Sequence, residues 1–224
     1  MKWYLDFGHG GKDSGAIGTN KTKESDTVLK IGMLIKNNLE QAFEKVITTR
    51  EDDKYYSLDY RSSKANKENC DYFISIHMNS STNKSAKGVE VWVYDEKSKL
   101  YTLSKDICSN LSKTIDTPNR GVKISKSFSV LRKTKMPALL IEIDFISNST
   151  VEASLKSDIY IKDIATSISK SLLSFVNKSI VDDGIFYRVC IGEFKDMSAA
   201  VELKNTAISK GFSGTYIVNR HNTL

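Results

Sequence analysis

The chain holds three histidines, His9, His77 and His221, and the first two stand where an α/β protein does chemistry. His9 follows the apolar run Trp3-Tyr4-Leu5-Asp6-Phe7 and opens into Gly10-Gly11-Lys12-Asp13-Ser14-Gly15. His77 ends the run Asp71-Tyr72-Phe73-Ile74-Ser75-Ile76, and Glu142 lies near the end of Ala138-Leu139-Leu140-Ile141-Glu142-Ile143. If these runs are strands of one open sheet, their carboxyl ends share a crevice, and His9, His77 and Glu142 can converge there. Two histidines and a carboxylate with one position left open form the ligand set of a catalytic zinc. The same placement also suits two ordinary, partly buried histidines. His221, close to the end of the sequence, reads as solvated. The glycines around His9 match neither GxxxxGK[ST] nor GxGxxG, so they read as backbone turning tightly and not as a phosphate cradle.

The positioning elements are legible from periodicity. Residues 2–7 predict a short buried strand. Val28, Ile31, Ile35, Leu39 and Phe43 recur at helical spacing after Ser25. Val46-Ile47-Thr48-Thr49 reads as a strand, and Leu58, Arg61 and Ala65 as a short helix capped by Ser57. Gly88–Tyr94 alternates like a half-exposed strand. Leu100, Leu103, Ile107, Leu111 and Ile115 mark another helix; a polar stretch from Pro118 to Ser127 then leads to a strand at Phe128–Leu131. Ile161, Ile164, Ile168, Leu172 and Phe175 mark a closing helix, and Ser147-Asn148 reads as helix-entry chemistry. Strands alternating with helices predict an α/β fold, a twisted mixed or mostly parallel sheet flanked by helices.

Composition narrows the class. With 224 residues, 40% hydrophobic and 27% charged, the chain is globular, and no apolar run reaches the ~20 residues of a membrane span. The N-terminus has no uninterrupted apolar segment, so no signal peptide is expected. Thirty-three basic against 27 acidic residues give a net charge of +6. That balance suits anionic partners in general, but the basic residues are scattered without the aromatic interleaving of a nucleic-acid groove. Cys70, Cys108 and Cys190 are widely spaced and odd in number, as expected of free thiols.

Beyond these readings, the stretch from Leu5-Asp6-Phe7-Gly8-His9 to Ala16-Ile17-Gly18 resembles the opening signature of the zinc-dependent N-acetylmuramoyl-L-alanine amidases of the Amidase_3 type. Further matches follow in the family's order: Glu24, Thr49-Arg50, Arg61 with Ala65-Asn66, Phe73 to Asn79, Gly88-Val89-Glu90, Arg120-Gly121-Val122-Lys123, Val130-Leu131-Arg132, Pro137-Ala138, and Glu142 with Phe145-Ile146-Ser147-Asn148. The resemblance covers about residues 2–175. It implies His9, Glu24 and His77 as ligands of one zinc ion and Glu142 as the catalytic carboxylate, which replaces the placement-only set. Asn79, Arg120 and Lys123 are weaker candidates for substrate contact, each equally readable as a loop hydrogen-bonder or a solvated charge. One departure is Asp144, where the family usually has a small residue. Two residues after Glu142 on a strand, it could face the site; the expectation is that it points into solvent past the strand end.

The tail differs from the rest. Ile185–Gly192 and Thr215–Val218 read as strands around a helix carrying Ala199, Ala200, Leu203 and Ala207, closed by Lys210-Gly211. This β-α-β unit resembles half of a SPOR domain, a module that binds peptidoglycan glycan strands. The expected organisation is a catalytic domain over 1–177, a linker over 178–183 and a wall-binding half-domain over 184–224. That half-domain either caps the fold or pairs with a second copy in a homodimer. The function implied is a peptidoglycan hydrolase cleaving the bond between N-acetylmuramic acid and L-alanine. It would be a phage endolysin or mother-cell autolysin, made in the cytoplasm and acting on the wall after release, with no nucleic-acid partner and no membrane span. The competing readings are a non-catalytic wall or polyanion binder on the same fold, and a zinc peptidase of the stem peptide.

Overall fold

The computed structural model describes residues 1–180, 192–212, 215 and 217. Two compact units divide the chain, Met1–Val181 and Asp182–Leu224. In the first, six strands form one sheet: β1 (Lys2–Phe7), β2 (Lys45–Thr48), β3 (Tyr72–Asn79), β4 (Val89–Val93), β5 (Asn119–Ile124) and β6 (Ala138–Phe145). Their order is β2-β1-β3-β6-β4-β5. The first four strands of that order are parallel; β4 runs antiparallel to β6, and β5 is parallel to β4. Helices α1 (Glu24–Gln41), α2 (Leu58–Lys67), α3 (Tyr101–Thr114), α4 (Ser129–Lys133), α5 (Ser149–Ser154) and α6 (Asp158–Phe175) surround it.

Strand alternation sorts the side chains onto two faces. Trp3, Leu5, Phe7, Ile74, Ile76, Val91, Leu139 and Ile141 pack with the apolar stripes of α1, α3 and α6 in the larger core. Tyr4, Phe73, Ala138 and Leu140 point the other way, towards Ala65 of α2 and Val130 and Leu131 of α4. Later on the same face, Asp6 and Ser75 are buried beneath Arg61 of α2, and the partly exposed His77 and Glu142 stand at a cleft at the strands' carboxyl ends.

Three local expectations need correction. The polar stretch after Pro118 contains β5, an edge strand whose exposed, charged character hides the usual alternation. Phe128–Leu131 is not a strand: Phe128 is extended, but Ser129–Lys133 is helical and buries Val130 and Leu131. A four-residue apolar run does not distinguish the two states. β4 is not half-exposed either, because β6 and β5 flank it and Trp92 packs on Phe128, so four of its five residues are buried. In the second unit, α7 (Met197–Ser209) is capped by Asp196 and contains the expected Ala199–Ala207 helix. The expected strand at Ile185–Gly192 falls outside the described residues apart from Gly192, as do His221, Cys190 and, of the expected strand Thr215–Val218, Tyr216 and Val218. Cys70 and Cys108 are free and buried.

Helix α2 is fastened to the sheet by a buried ion pair. Arg61 Nη1 donates to Asp6 Oδ1 at 2.8 Å and to the Phe7 carbonyl at 2.8 Å, and Nη2 donates to the His9 carbonyl at 2.8 Å. Thr49 and Ser75 hydroxyls complete the shell around Asp6. Burial opposes the Asp6 charge, but Arg61 and Thr49 outweigh it and hold the carboxyl below the usual range. Arg61→Ala strips a buried carboxylate of its cation, and such a break costs about 3–5 kcal/mol. Thermal or urea unfolding should show a loss of that size; a change below about 0.5 kcal/mol would contradict this role.

Candidate metal centre

His9 enters the cleft from an unusual backbone conformation, φ 60°, with Gly8 between it and the end of β1. Histidine tolerates this region better than most residues, but it is still strained and must be held. Arg50, itself buried, does much of the holding: Nε donates to the Phe7 carbonyl at 3.1 Å, and Nη2 to those of Gly8 at 2.8 Å and Ser25 at 2.7 Å. One guanidinium thus ties the His9 turn to the first turn of α1. Two glycines make the close packing feasible. A Cβ on Gly8 would sit 2.3 Å from the His77 ring, and one on Gly15 would sit 2.6 Å from Glu24 Oε2 and the His9 ring.

Glu24 is the first residue of α1, where the helix dipole favours an anion. Its Oε1 lies 3.1 Å from His9 Nε2 and 3.0 Å from His77 Nδ1, and accepts the Met78 amide at 3.0 Å. Oε2 accepts the Ala16 amide at 2.9 Å. The loop before Glu24 is anchored by Glu152 of α5, which is fully buried and accepts from Thr19 Oγ1 and the Asn20 and Thr22 amides. Burial works against that charge, yet these donors hold the Glu152 carboxyl at about 2.

The potential ligand atoms of His9, Glu24 and His77 all lie within 4.8 Å of one another, a spacing that one metal ion can bridge. Glu142 is not in this cluster. On the far side of the His9 ring, Nδ1 meets Asp13 Oδ2 at 2.9 Å, which leaves Nε2 to face Glu24. Burial disfavours charge on both histidines, but Glu24 overrides it at each; with Asp13 adding to the effect, His9 is raised to about 9, and His77 is raised as well. Glu24 is correspondingly held far below the ordinary carboxylate range by His77 and His9, against its own burial.

Glu142 lives in the opposite environment. It pairs in register with His77 on β3 and with Glu90 on β4. Its Oε2 is buried without a hydrogen-bond partner. Burial pushes its pKa up to about 7; His77 pulls it down while Glu24 and Glu90 push it further up. The donor set fits a zinc ion: two imidazole nitrogens and a carboxylate converge, and beside them stands an unpartnered carboxylate oxygen poised near neutrality.

The remaining sequence candidates separate. Asn79 Nδ2 reaches Glu90 Oε2 at 3.4 Å, and Arg120 Nε donates to Glu90 Oε1 at 2.5 Å, so both gather beside Glu142. Lys123 lies farther along β5, opposite Trp92, and is not bonded to this group. Asp144 corrects the expectation of a solvent-facing carboxylate. The β3–β6 register shifts between His77 and Asn79, which breaks the alternation that would set Asp144 beside Glu142. Its carboxylate is buried, accepting the Gly88 and Phe145 amides and the Thr117 hydroxyl. Sequence reasoning assigned no role to Glu90, Arg50, Asp13 or Glu152. A glutamate inside the apolar run Val89–Val93 was the available signal for Glu90, since an acid so placed is rarely buried without a partner.

Comparison with known proteins agrees with this geometry. The family model for N-acetylmuramoyl-L-alanine amidase matches residues 4–174. The sporulation-specific N-acetylmuramoyl-L-alanine amidase of Bacillus subtilis is 33% identical over 221 residues, 97% of this chain and 85% of that protein. The endolysin of Bacillus phage SPP1 is 36% identical over 181 residues, 78% of this chain and 65% of its own length. Among solved structures, the amidase AmiC2 of Nostoc punctiforme superposes with a TM-score of 0.74 at 33% identity, covering 80% of this chain and 98% of that one. Spanning β1 to α6 and so every side chain of the cleft, these matches show that the chain belongs to the N-acetylmuramoyl-L-alanine amidase family.

Proposed function

We propose that this protein is a zinc-dependent peptidoglycan amidase that hydrolyses the bond between the lactyl carbonyl of N-acetylmuramic acid and the nitrogen of L-alanine. The observation that carries the reading is the pairing of two glutamates in opposite environments. Glu24 stays ionised against two histidines, and Glu142 sits one strand from His77 with a buried, unpartnered oxygen. His9 Nε2, His77 Nδ1 and Glu24 would hold the ion. When bound, zinc supplies Lewis acidity, polarising a carbonyl and acidifying a water molecule.

Glu142 does the proton work. Its carboxylate takes a proton from the attacking water as the oxygen bonds to the carbonyl carbon. The same proton then passes to the alanine nitrogen as the C–N bond breaks; the water's second proton stays on the new lactyl carboxyl and then moves to the freed amine, leaving a carboxylate and an ammonium group. A pKa of about 7 suits a group that must accept and then return one proton near neutrality. Asp13 and Arg50 keep His9 in register, and the residues around Glu90 line the neighbouring wall of the cleft, where Asn79 and Arg120 would meet substrate; Lys123 would meet it farther along β5.

The sporulation-specific relative matches along almost the whole chain, which favours a mother-cell lysin over a phage endolysin. In this reading the second unit, with exposed Phe194, Met197, Val201 and Phe212, attaches the enzyme to the wall as a SPOR-like half-domain, alone or paired with a second copy.

Three outcomes are expected. Glu142→Gln should keep one zinc per chain by elemental analysis while losing about 10²–10⁴-fold in turnover; near-normal turnover would remove the proton-transfer role. Glu24→Gln and His77→Ala should lose zinc as well as activity, and full occupancy in either would overturn the ligand assignment. Mass spectrometry of digested wall should find peptides with a free L-alanine amino terminus; cuts confined to bonds within the peptide would favour a stem-peptide peptidase.

A further inference from the structure

The wall of the cleft beyond Glu142 holds a guanidinium with its recognition edge free. Arg120 lies near the start of β5, with Nε bonded to Glu90 Oε1 and Cζ 5.1 Å from the centre of the Phe145 ring. Its aliphatic stem runs against Gly88, where a Cβ would come within 2.6 Å of Arg120 Cδ. Glu90 is only 5% exposed and is also reached by Asn79, so the anchor is fixed on both oxygens. Among the described residues, the two terminal nitrogens of Arg120 have no hydrogen-bond partner, and 42% of the side chain is exposed. A guanidinium held by Nε and a ring face presents its two Nη groups as a fork, the geometry that binds a carboxylate through two parallel hydrogen bonds.

Strand order gives the direction in which this fork looks along the substrate. His77 lies on β3, Glu142 on β6, Glu90 on β4 and Arg120 on β5, four successive strands. Glu142 delivers its proton to the leaving nitrogen, so that nitrogen lies on the Glu142 side of the metal ligands. Continuing the same way leads to Arg120. Adjacent strands are about 5 Å apart, which places the fork roughly 5–10 Å beyond Glu142. An extended peptide covers about 3.3–3.6 Å per residue, so that interval corresponds to the first two or three residues of the leaving peptide.

We propose that Arg120 is a specificity residue that binds a carboxylate on the leaving peptide, with Glu90 and Phe145 holding its guanidinium in place. The inference rests on the amidase reading above and adds the substrate feature that the cleft selects. The ion pair to Glu90 cancels the net charge of Arg120, so selection comes from the geometry of the fork and not from bulk attraction. A carboxamide offers one acceptor where the fork needs two.

The test uses the full-length, zinc-loaded protein and two N-acetylmuramoyl dipeptides that differ only at the second residue, whose main-chain carboxyl is free in one and a carboxamide in the other. The wild-type protein should favour the free carboxylate by about tenfold or more in kcat/KM. Arg120→Ala should lose more on the carboxylate substrate than on the carboxamide, bringing the ratio close to one. Arg120→Lys, which keeps the charge and loses the fork, should fall between, and it decides the matter if the alanine variant does not fold. Equal rates on both substrates in the wild type, or an unchanged ratio in the folded variants, would overturn the inference while leaving the amidase reading intact. A wild-type protein that cleaves neither substrate would overturn the amidase reading and this inference with it.

Discussion

A single carboxylate oxygen, Glu24 Oε1, stands between two imidazole nitrogens at 3.1 and 3.0 Å, and the rest of the first unit can be understood as what keeps it there. The three side chains come from three separate elements. Parallel pairing of β1 with β3 brings His9 and His77 to the same edge, and the crossover from β1 to β2 returns α1 with its N-terminus at that edge. The contact asks for a strained turn at His9, for glycine at positions 8 and 15, and for a carboxylate kept ionised although buried. Arg50, Arg61 and Glu152 meet those demands through hydrogen bonds to backbone carbonyls and amides, so most of the buried charge in this unit serves the geometry of the cleft.

Two glutamates of identical chemistry then take different roles because their surroundings differ. Glu24 has a helix N-terminus, two backbone amides and two histidines to stabilise its charge. Glu142 has a partly apolar strand, a second carboxylate across the sheet and an oxygen with no donor. The first is suited to permanent ligation, the second to proton transfer near neutral pH. Glu90 enters this division twice: its charge raises the pKa of Glu142, and its oxygens fix Arg120 and Asn79.

How much of this could be read from the residues depended on how local the signal was. Buried strands such as Leu139–Ile143 and helices with a clean apolar stripe such as Ile161–Phe175 were legible because burial imposes periodicity over many residues. The edge strand Asn119–Ile124 and the single-turn helix at Ser129 were not, being short and shaped by neighbours distant in sequence. His9 and His77 stood out by rarity and by their place after apolar strands. Glu24 did not, since an acid in the first turn of a helix is common for electrostatic reasons alone, and it entered through the family resemblance. Asp144 was misjudged because the strand does not end before it: β6 runs on to Phe145, and the Gly88 amide and Thr117 hydroxyl meet the carboxylate inside the fold. The roles of Arg50 and Glu152 depend on tertiary hydrogen bonds to backbone groups, for which sequence spacing carries no signal.

The central claim is that three ligands hold the metal and a fourth carboxylate remains free to move protons. A crystal structure of the zinc-loaded protein, with the ion located by anomalous scattering at the zinc edge, tests it most directly. The account predicts one strong peak within about 2.0–2.2 Å of His9 Nε2, His77 Nδ1 and a Glu24 oxygen, with Glu142 outside that distance. A peak coordinated by Glu142 in place of Glu24 would contradict the division of labour between the two glutamates.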